Sequence, residues 1–466
     1  MAPDLSKRWM MNHRKVFGDR PISELCLPGS HNAGSFRRGY HTVYGTEHNV
    51  VSQTRPIFDQ LELGVRCLDI RPCLTSPKPN APPGNWACGN FTGPAVDKVQ
   101  WQGANGIELH DAIDDINRFT QDNIEVVFVE ITRVYRVFIG KSTAPSGREP
   151  NQDEWNSLIS LLSTIKNLFT VQRAGEKPTS LYNYTLNRFI GSGKAAVVVL
   201  VSDYPGDPDD LYKHGLWPSS TQGVQTLSLK GTLLTQEANW PETVSFFAPG
   251  WSSDVDSVLS LAKDLQSKRF PWLLQAFAAS GYPFVIWMDR IQNVDLLTFC
   301  IATTYQRFNR SMGLQNMVIV YGGFLVTSPQ VHQKVRQAID RGNNFQVTND
   351  NLGCDPWPNM DKSCAIFYEQ NEIVKGRFER ESQSFSFGKD IVSIEYGNLQ
   401  IRDQDVYLHI LQAMSNREEF IVTDWILRGH PQPGVGKTCV VRFRHSGNDG
   451  IAEVKAEEGG TLNFAF

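Results

Sequence analysis

Long apolar runs are absent from this chain. No segment approaches the roughly 18 uninterrupted apolar residues of a membrane span, and the opening Met1-Ala2-Pro3-Asp4-Leu5-Ser6-Lys7-Arg8-Trp9-Met10 lacks the apolar core of a secretory leader. The expectation is an intracellular, cytoplasmic protein with no transmembrane segment. An excess of one charge is absent too: 45 Lys and Arg stand against 49 Asp and Glu, a formal net charge of −4, so nothing recommends a nucleic-acid partner. The eight cysteines, at 26, 67, 73, 88, 300, 354, 364 and 439, show no CxxC spacing. That argues against a zinc site or a disulfide framework, and the thiols read as buried.

With 466 residues and 41% hydrophobic content, the chain suffices for one large domain and a smaller one. Up to about residue 345, short β-rich runs alternate with longer helical patterns, a rhythm that predicts a parallel sheet flanked by helices. Strands are expected at 25–27, 65–70, 126–131, 196–201, 244–247, 284–288 and 317–320. Leu109, Ile113, Ile116 and Phe119 recur at helical spacing, as do Trp155, Leu158, Leu161, Leu162 and Ile165. The expected class is α/β: a distorted TIM-type (β/α)8 barrel over 1–345, a polar connector over 346–388 and a small antiparallel β-domain over 389–466.

Chemistry-bearing residues concentrate where two of these strands end. One segment is Leu27-Pro28-Gly29-Ser30-His31-Asn32-Ala33-Gly34-Ser35, and the other is Leu63-Gly64-Val65-Arg66-Cys67-Leu68-Asp69-Ile70-Arg71-Pro72. Asp69 and Arg71 alternate with Ile70, so both side chains leave the strand on one side. A histidine between Pro-Gly-Ser and Asn-Ala-Gly suits a site better than a core. Gly191-Ser192-Gly193-Lys194 precedes a strand instead of opening a helix, and reads as a turn, not a phosphate loop.

Together the two segments resemble the X-domain of phosphatidylinositol-specific phospholipase C and its PLC-like phosphodiesterase relatives, over about residues 20–330. The resemblance implies cleavage of a phosphoinositide-like or related small phosphodiester, lipid or soluble, by His-assisted phosphoryl transfer. It makes His31 the first catalytic histidine, Asp69 and Arg71 its rim partners, and Asp289 the late-strand carboxylate that orients His31. As in bacterial members, the Asp-x-Arg pattern lets the Arg71 guanidinium replace a metal, so that no cofactor is required. Calcium-dependent members suggest instead that Asn32, Asp69 and Glu130 hold a hard divalent cation, Ca2+ or Mg2+.

The resemblance also makes this an atypical member, because the stretch that should carry a second catalytic histidine, Trp86-Ala87-Cys88-Gly89-Asn90-Phe91-Thr92-Gly93, has none. Asn90 stands at that place, and Asn cannot act as a general acid. His110 falls on an exterior helical pattern, while His41 and His48 lie on the loop after the first strand. Asn32, Asn90, Asp203 and Tyr204 are candidate substrate contacts. The C-terminal segment resembles a small β-domain found at the end of some J-domain proteins, which implies a protein partner. Two other readings fit the same rim: a non-hydrolytic proton transfer or cyclisation on a small metabolite, and a catalytically silent binding module.

Overall fold

The computed structural model describes residues 5–93, 100–139, 145–177, 180–219, 226–230, 243–247, 274, 283–312, 317–370, 372–387, 390–416, 418–429, 436–444 and 451–464. These divide into two compact units, one running to Cys300 and the other, which includes Leu274, from Ile301 onward. No helix among them is long and apolar enough to cross a membrane.

An eight-stranded sheet organises the first unit: β1 (Leu27–Ser30), β2 (Cys67–Ile70), β3 (Val126–Ile131), β4 (Ala196–Val201), β5 (Trp217–Pro218), β6 (Thr226–Lys230), β7 (Thr243–Phe247) and β8 (Val285–Met288). Every ladder is parallel. Neighbours in space are neighbours in sequence, and β8 returns to pair with β1, which is the order of a (β/α)8 ring. The adjacency that would close the ring, β5 to β6, has no ladder among the described residues, so these form an eight-stranded parallel sheet and not the closed barrel expected. Runs such as Val126–Ile131 and Ala196–Val201 are apolar almost throughout because a parallel sheet covered on both faces leaves no polar side.

Helices join the strands. Of these, α1 (Leu109–Asp122) buries Leu109, Ile113, Ile116 and Phe119, and α2 (Gln152–Leu162) buries Trp155, Leu158 and Leu162. Past the carboxyl ends of β2 and β3 the chain continues into Pro72–Ser76 and Tyr135–Phe138, which pair in a separate five-stranded sheet. At the opposite edge, Arg66 and Glu125, the residues just before β2 and β3, form a fully buried ion pair at 2.7 Å. Arg66 also donates to the carbonyls of Ser6, Lys7, Leu61 and Val65, while Glu125 accepts the Met10 and Met11 amides.

Three expectations need correction. The first strand is Leu27–Ser30, not 25–27: Pro28 and Gly29 lie inside it, and a Cβ at Gly29 would strike the Trp287 ring. The 317–320 run is not a barrel strand. It is β9 (Met317–Tyr321) of the second unit, antiparallel to β10 (Ser363–Gln370), which pairs with β11 (Ile373–Arg380). Residues 346–388 are therefore no polar connector; α3 (Pro329–Arg341) and these strands share a buried core that includes Val335, Ile366 and Phe385.

In the C-terminal segment, β12 (Ile391–Tyr396), β13 (Thr438–Arg444) and β14 (Ile451–Glu457) form the antiparallel sheet expected there, joined by a helix that was not expected, α4 (Gln404–Asn416). Asp390 ties this segment to β10 and β11, accepting from Lys375 at 2.9 Å, Tyr368 at 3.2 Å and Tyr407 at 2.6 Å.

Candidate active site

Parallel strands place their carboxyl ends on one edge, where register sets the height of each side chain. Ser30 is level with Met288 on β8 and Leu68 on β2, and Asp69 is level with Glu130 on β3. One residue further on, Asp289, His31, Asp69 and Glu130 form a row across β8, β1, β2 and β3.

The row is hydrogen-bonded. His31 Nδ1 lies 2.7 Å from Asp289 Oδ1, and His31 Nε2 lies 2.7 Å from Arg71 Nη2. A guanidinium only donates, so Nε2 is the acceptor and Nδ1 carries the proton given to Asp289. Arg71 Nη2 also meets Asp69 Oδ2 at 2.8 Å, and Asp69 Oδ2 is 3.8 Å from His31 Nε2. Thr132 Oγ1 donates to Asp69 Oδ1 at 2.8 Å and the Asn32 amide to Oδ2 at 3.1 Å. Burial pushes the Asp69 carboxyl up, but Arg71, His31 and these two hydrogen bonds outweigh it and hold the group below its ordinary range.

Glu130 behaves in the opposite way. It is half-buried with no hydrogen-bond partner among the described residues, and burial, aided by the Asp69 charge, raises its carboxyl to about 8. Gln53, fully buried, fixes the loop beneath His31: its amide donates to the carbonyls of His31 at 2.8 Å and Met288 at 3.0 Å, and accepts from the Ile291 amide at 3.0 Å.

Backbone strain collects on the same edge. Asn32 (φ 48°), Arg133 (φ 50°), Asp203 (φ 58°) and Arg290 (φ 59°) each lie two residues past a strand end, on β1, β3, β4 and β8, in the left-handed region that side chains rarely adopt. Such outliers gather where a site must aim its side chains.

Other expected residues are placed differently. Asn90 lies on Ala87–Phe91, a strand of the separate sheet, where its amide donates to the Val50 carbonyl at 3.1 Å. Asp203 is exposed on the rim, within electrostatic reach of Tyr135. Tyr204 is set edge-on against Trp155 of α2, its ring centroid 5.4 Å away. His110 is exposed at the start of α1 between Glu108 and Asp111, at 3.1 Å from each. His41 and His48 are exposed, and neither bonds to the cluster. Sequence reasoning missed Gln53, Thr132 and Arg133. The signal available was weak: Thr132 is two residues after Glu130 at a strand exit, so both leave on one side.

A hard divalent cation fits the donor set poorly. Both Asp69 oxygens are engaged, and the Arg71 guanidinium lies against Asp69. Asn32 is buried with neither amide atom hydrogen-bonded among the described residues, and the buried Ser30 hydroxyl on the same strand end is likewise without a partner there.

No family model matches the chain, and no curated protein matches it in sequence. Among solved structures it is similar to the phosphatidylinositol-specific phospholipase C of Listeria monocytogenes, at 14% identity and a TM-score of 0.39 over 64% of this chain and 98% of that one. It is also similar to the Staphylococcus aureus phosphatidylinositol-specific phospholipase C, at 13% identity and a TM-score of 0.38 over 65% of this chain and 97% of that one. A pentafluoro-Phe form of the S. aureus protein matches at 14% identity and a TM-score of 0.39 over 61% of this chain and 91% of that one.

Proposed function

We propose that this protein is a phosphodiesterase of the phospholipase C type, cleaving a phosphodiester whose alcohol carries a neighbouring hydroxyl. The observation that supports it most is the hydrogen-bonded array Asp289–His31–Arg71–Asp69 on the carboxyl edge of the sheet. Asp289 fixes the tautomer that leaves a lone pair on His31 Nε2, and it stabilises the imidazolium once that nitrogen takes the proton of the attacking hydroxyl. Arg71, turning from His31 to the phosphate, offsets the charge that grows on the phosphoryl oxygens.

The second proton belongs to Glu130. The attacking oxygen bonds to phosphorus, the leaving alkoxide departs and takes the Glu130 proton, and solvent then carries the proton from His31 back to Glu130. With its carboxyl raised to about 8, Glu130 carries a proton near neutral pH and takes the general-acid part that the missing second imidazole leaves open. The buried Asn32 amide gains a partner when substrate arrives. Tyr40, Val43 and Tyr44 are 77%, 53% and 51% exposed on the loop after β1. This apolar rim favours a phosphodiester presented at a lipid surface.

Purified protein, offered phosphatidylinositol vesicles and a chromogenic inositol phosphodiester, is expected to turn over both, with or without chelator. His31→Ala should lower the rate by about 10² to 10⁴. Absence of turnover under every condition would overturn the reading in favour of a non-hydrolytic reaction or a binding module.

A further inference from the structure

Arg71 is not a fully available cation. Its Nη2 is shared between His31 and Asp69, and its Nε faces Asp69 Oδ1 at 3.3 Å, so its charge is already matched by a carboxylate. A second guanidinium lies close by. Arg133 sits two residues beyond β3, immediately after Thr132, whose hydroxyl touches Asp69. It is exposed and forms no hydrogen bond or ion pair among the described residues. Its backbone is held at φ 50°, a conformation in which glycine or asparagine would be less strained.

Two unlike features thus meet at Arg133: a left-handed backbone, and a positive charge that no hydrogen bond or ion pair among the described residues matches. The strongest influence on its guanidinium is the like charge of Arg71, which lowers it, while Asp69 and Tyr135 act in the other direction. Arg133 lies within electrostatic reach of Arg71 and Asp69, and an anion held between the two guanidiniums would relieve their mutual repulsion.

We infer that Arg133 is a second phosphate-binding residue, which with the free edge of Arg71 brackets the phosphoryl group of the substrate and of its phosphate product. The inference rests on the phosphodiester reading of the site. It gives the substrate charge a partner that is not already paired, and so allows Arg71 to remain anchored to Asp69. Asp203, exposed two residues past β4, lies within electrostatic reach of Tyr135, as Arg133 and Arg71 do. That carboxylate suits hydroxyl groups and repels further phosphates, so the preferred ligand is a polyol carrying one phosphoryl group rather than several.

The test is isothermal titration of the full chain with inorganic phosphate and with myo-inositol 1-phosphate, comparing wild type, Arg133→Gln, Arg133→Lys and Arg71→Gln. Arg133→Gln is expected to weaken both ligands by about 10-fold or more, with Arg133→Lys recovering most of the loss. In turnover, Arg133→Gln should raise KM with a smaller change in kcat. Unchanged phosphate affinity in Arg133→Gln, alongside a loss in Arg71→Gln, would overturn the role of Arg133 and leave the phosphodiester reading standing. No phosphate binding by wild type would overturn both. Because Arg133 is exposed and unpaired, circular dichroism of the variants should match wild type.

Discussion

A carboxyl that keeps its proton at neutral pH leaves a thermodynamic trace as well as a kinetic one. The Glu130 group is raised from 4.5 to about 8 in the folded protein. Its contribution to stability is therefore full below about pH 4.5 and declines as pH rises, until it is lost above about pH 8. Glu130→Gln should flatten the melting temperature between those limits and make the variant relatively more stable at pH 8 to 9, as thermal melts across pH will show. The same substitution should remove an alkaline limb near pH 8 from the kcat profile. Melts that keep the wild-type pH dependence would rule out a raised Glu130. At this scale His31, Asp69, Arg71 and Asp289 were legible because each is a polar residue at the end of an apolar run. Gln53 and Arg133 were not: one works from a loop through three backbone groups of other segments, and the other announces itself only through a backbone angle.

At their amino edge β2 and β3 are anchored by chemistry of a different kind, a buried ion pair. Arg66 and Glu125 are buried completely; Glu125 accepts from the backbone of the N-terminal segment, and Arg66 donates both to that segment and to the carbonyls of Leu61 and Val65. Arg66→Met would strand the Glu125 carboxylate away from water and should destabilise the first unit by about 3–5 kcal/mol. Urea unfolding of Arg66→Met and of the double variant Arg66→Met/Glu125→Leu checks this. The double variant should recover most of the loss, whereas equal losses in both would assign the cost to packing alone. Long apolar strands and amphipathic helices showed in the sequence because their periods are uninterrupted. The element Trp217–Pro218 is two residues long and Leu27–Ser30 contains Pro and Gly, so neither carries a period to read. The run at 317–320 is apolar like the barrel strands. Its antiparallel partner at 363–370 is what separates it from them, and pairing is not written in a single run.

Across the whole molecule, the alternation of strands and helices pointed to a parallel sheet, but not to its strands at Trp217–Pro218 and Thr226–Lys230 or to where the unit ends. The boundary lies near Cys300 and not at 345 because Met317–Tyr321 and α3 bury their apolar faces with the later strands. Composition changes at 346, whereas burial changes earlier. The cysteines follow that division. Cys26, Cys67, Cys73, Cys88 and Cys300 are buried in the first unit, and Cys364 and Cys439 in the second, with only Cys354 partly accessible. Burial raises the Cys88 and Cys439 thiols to about 12, and those of Cys67, Cys73, Cys300 and Cys364 rise as well. A thiol reagent should therefore modify Cys354 first in the native protein, and the others only as the chain opens, with mass spectrometry of peptides reading the order. Rapid native labelling at Cys88 or Cys439 would contradict this burial. The sulfur atoms then act as a built-in clock with two hands, timing the opening of each unit separately without any probe being added to the chain.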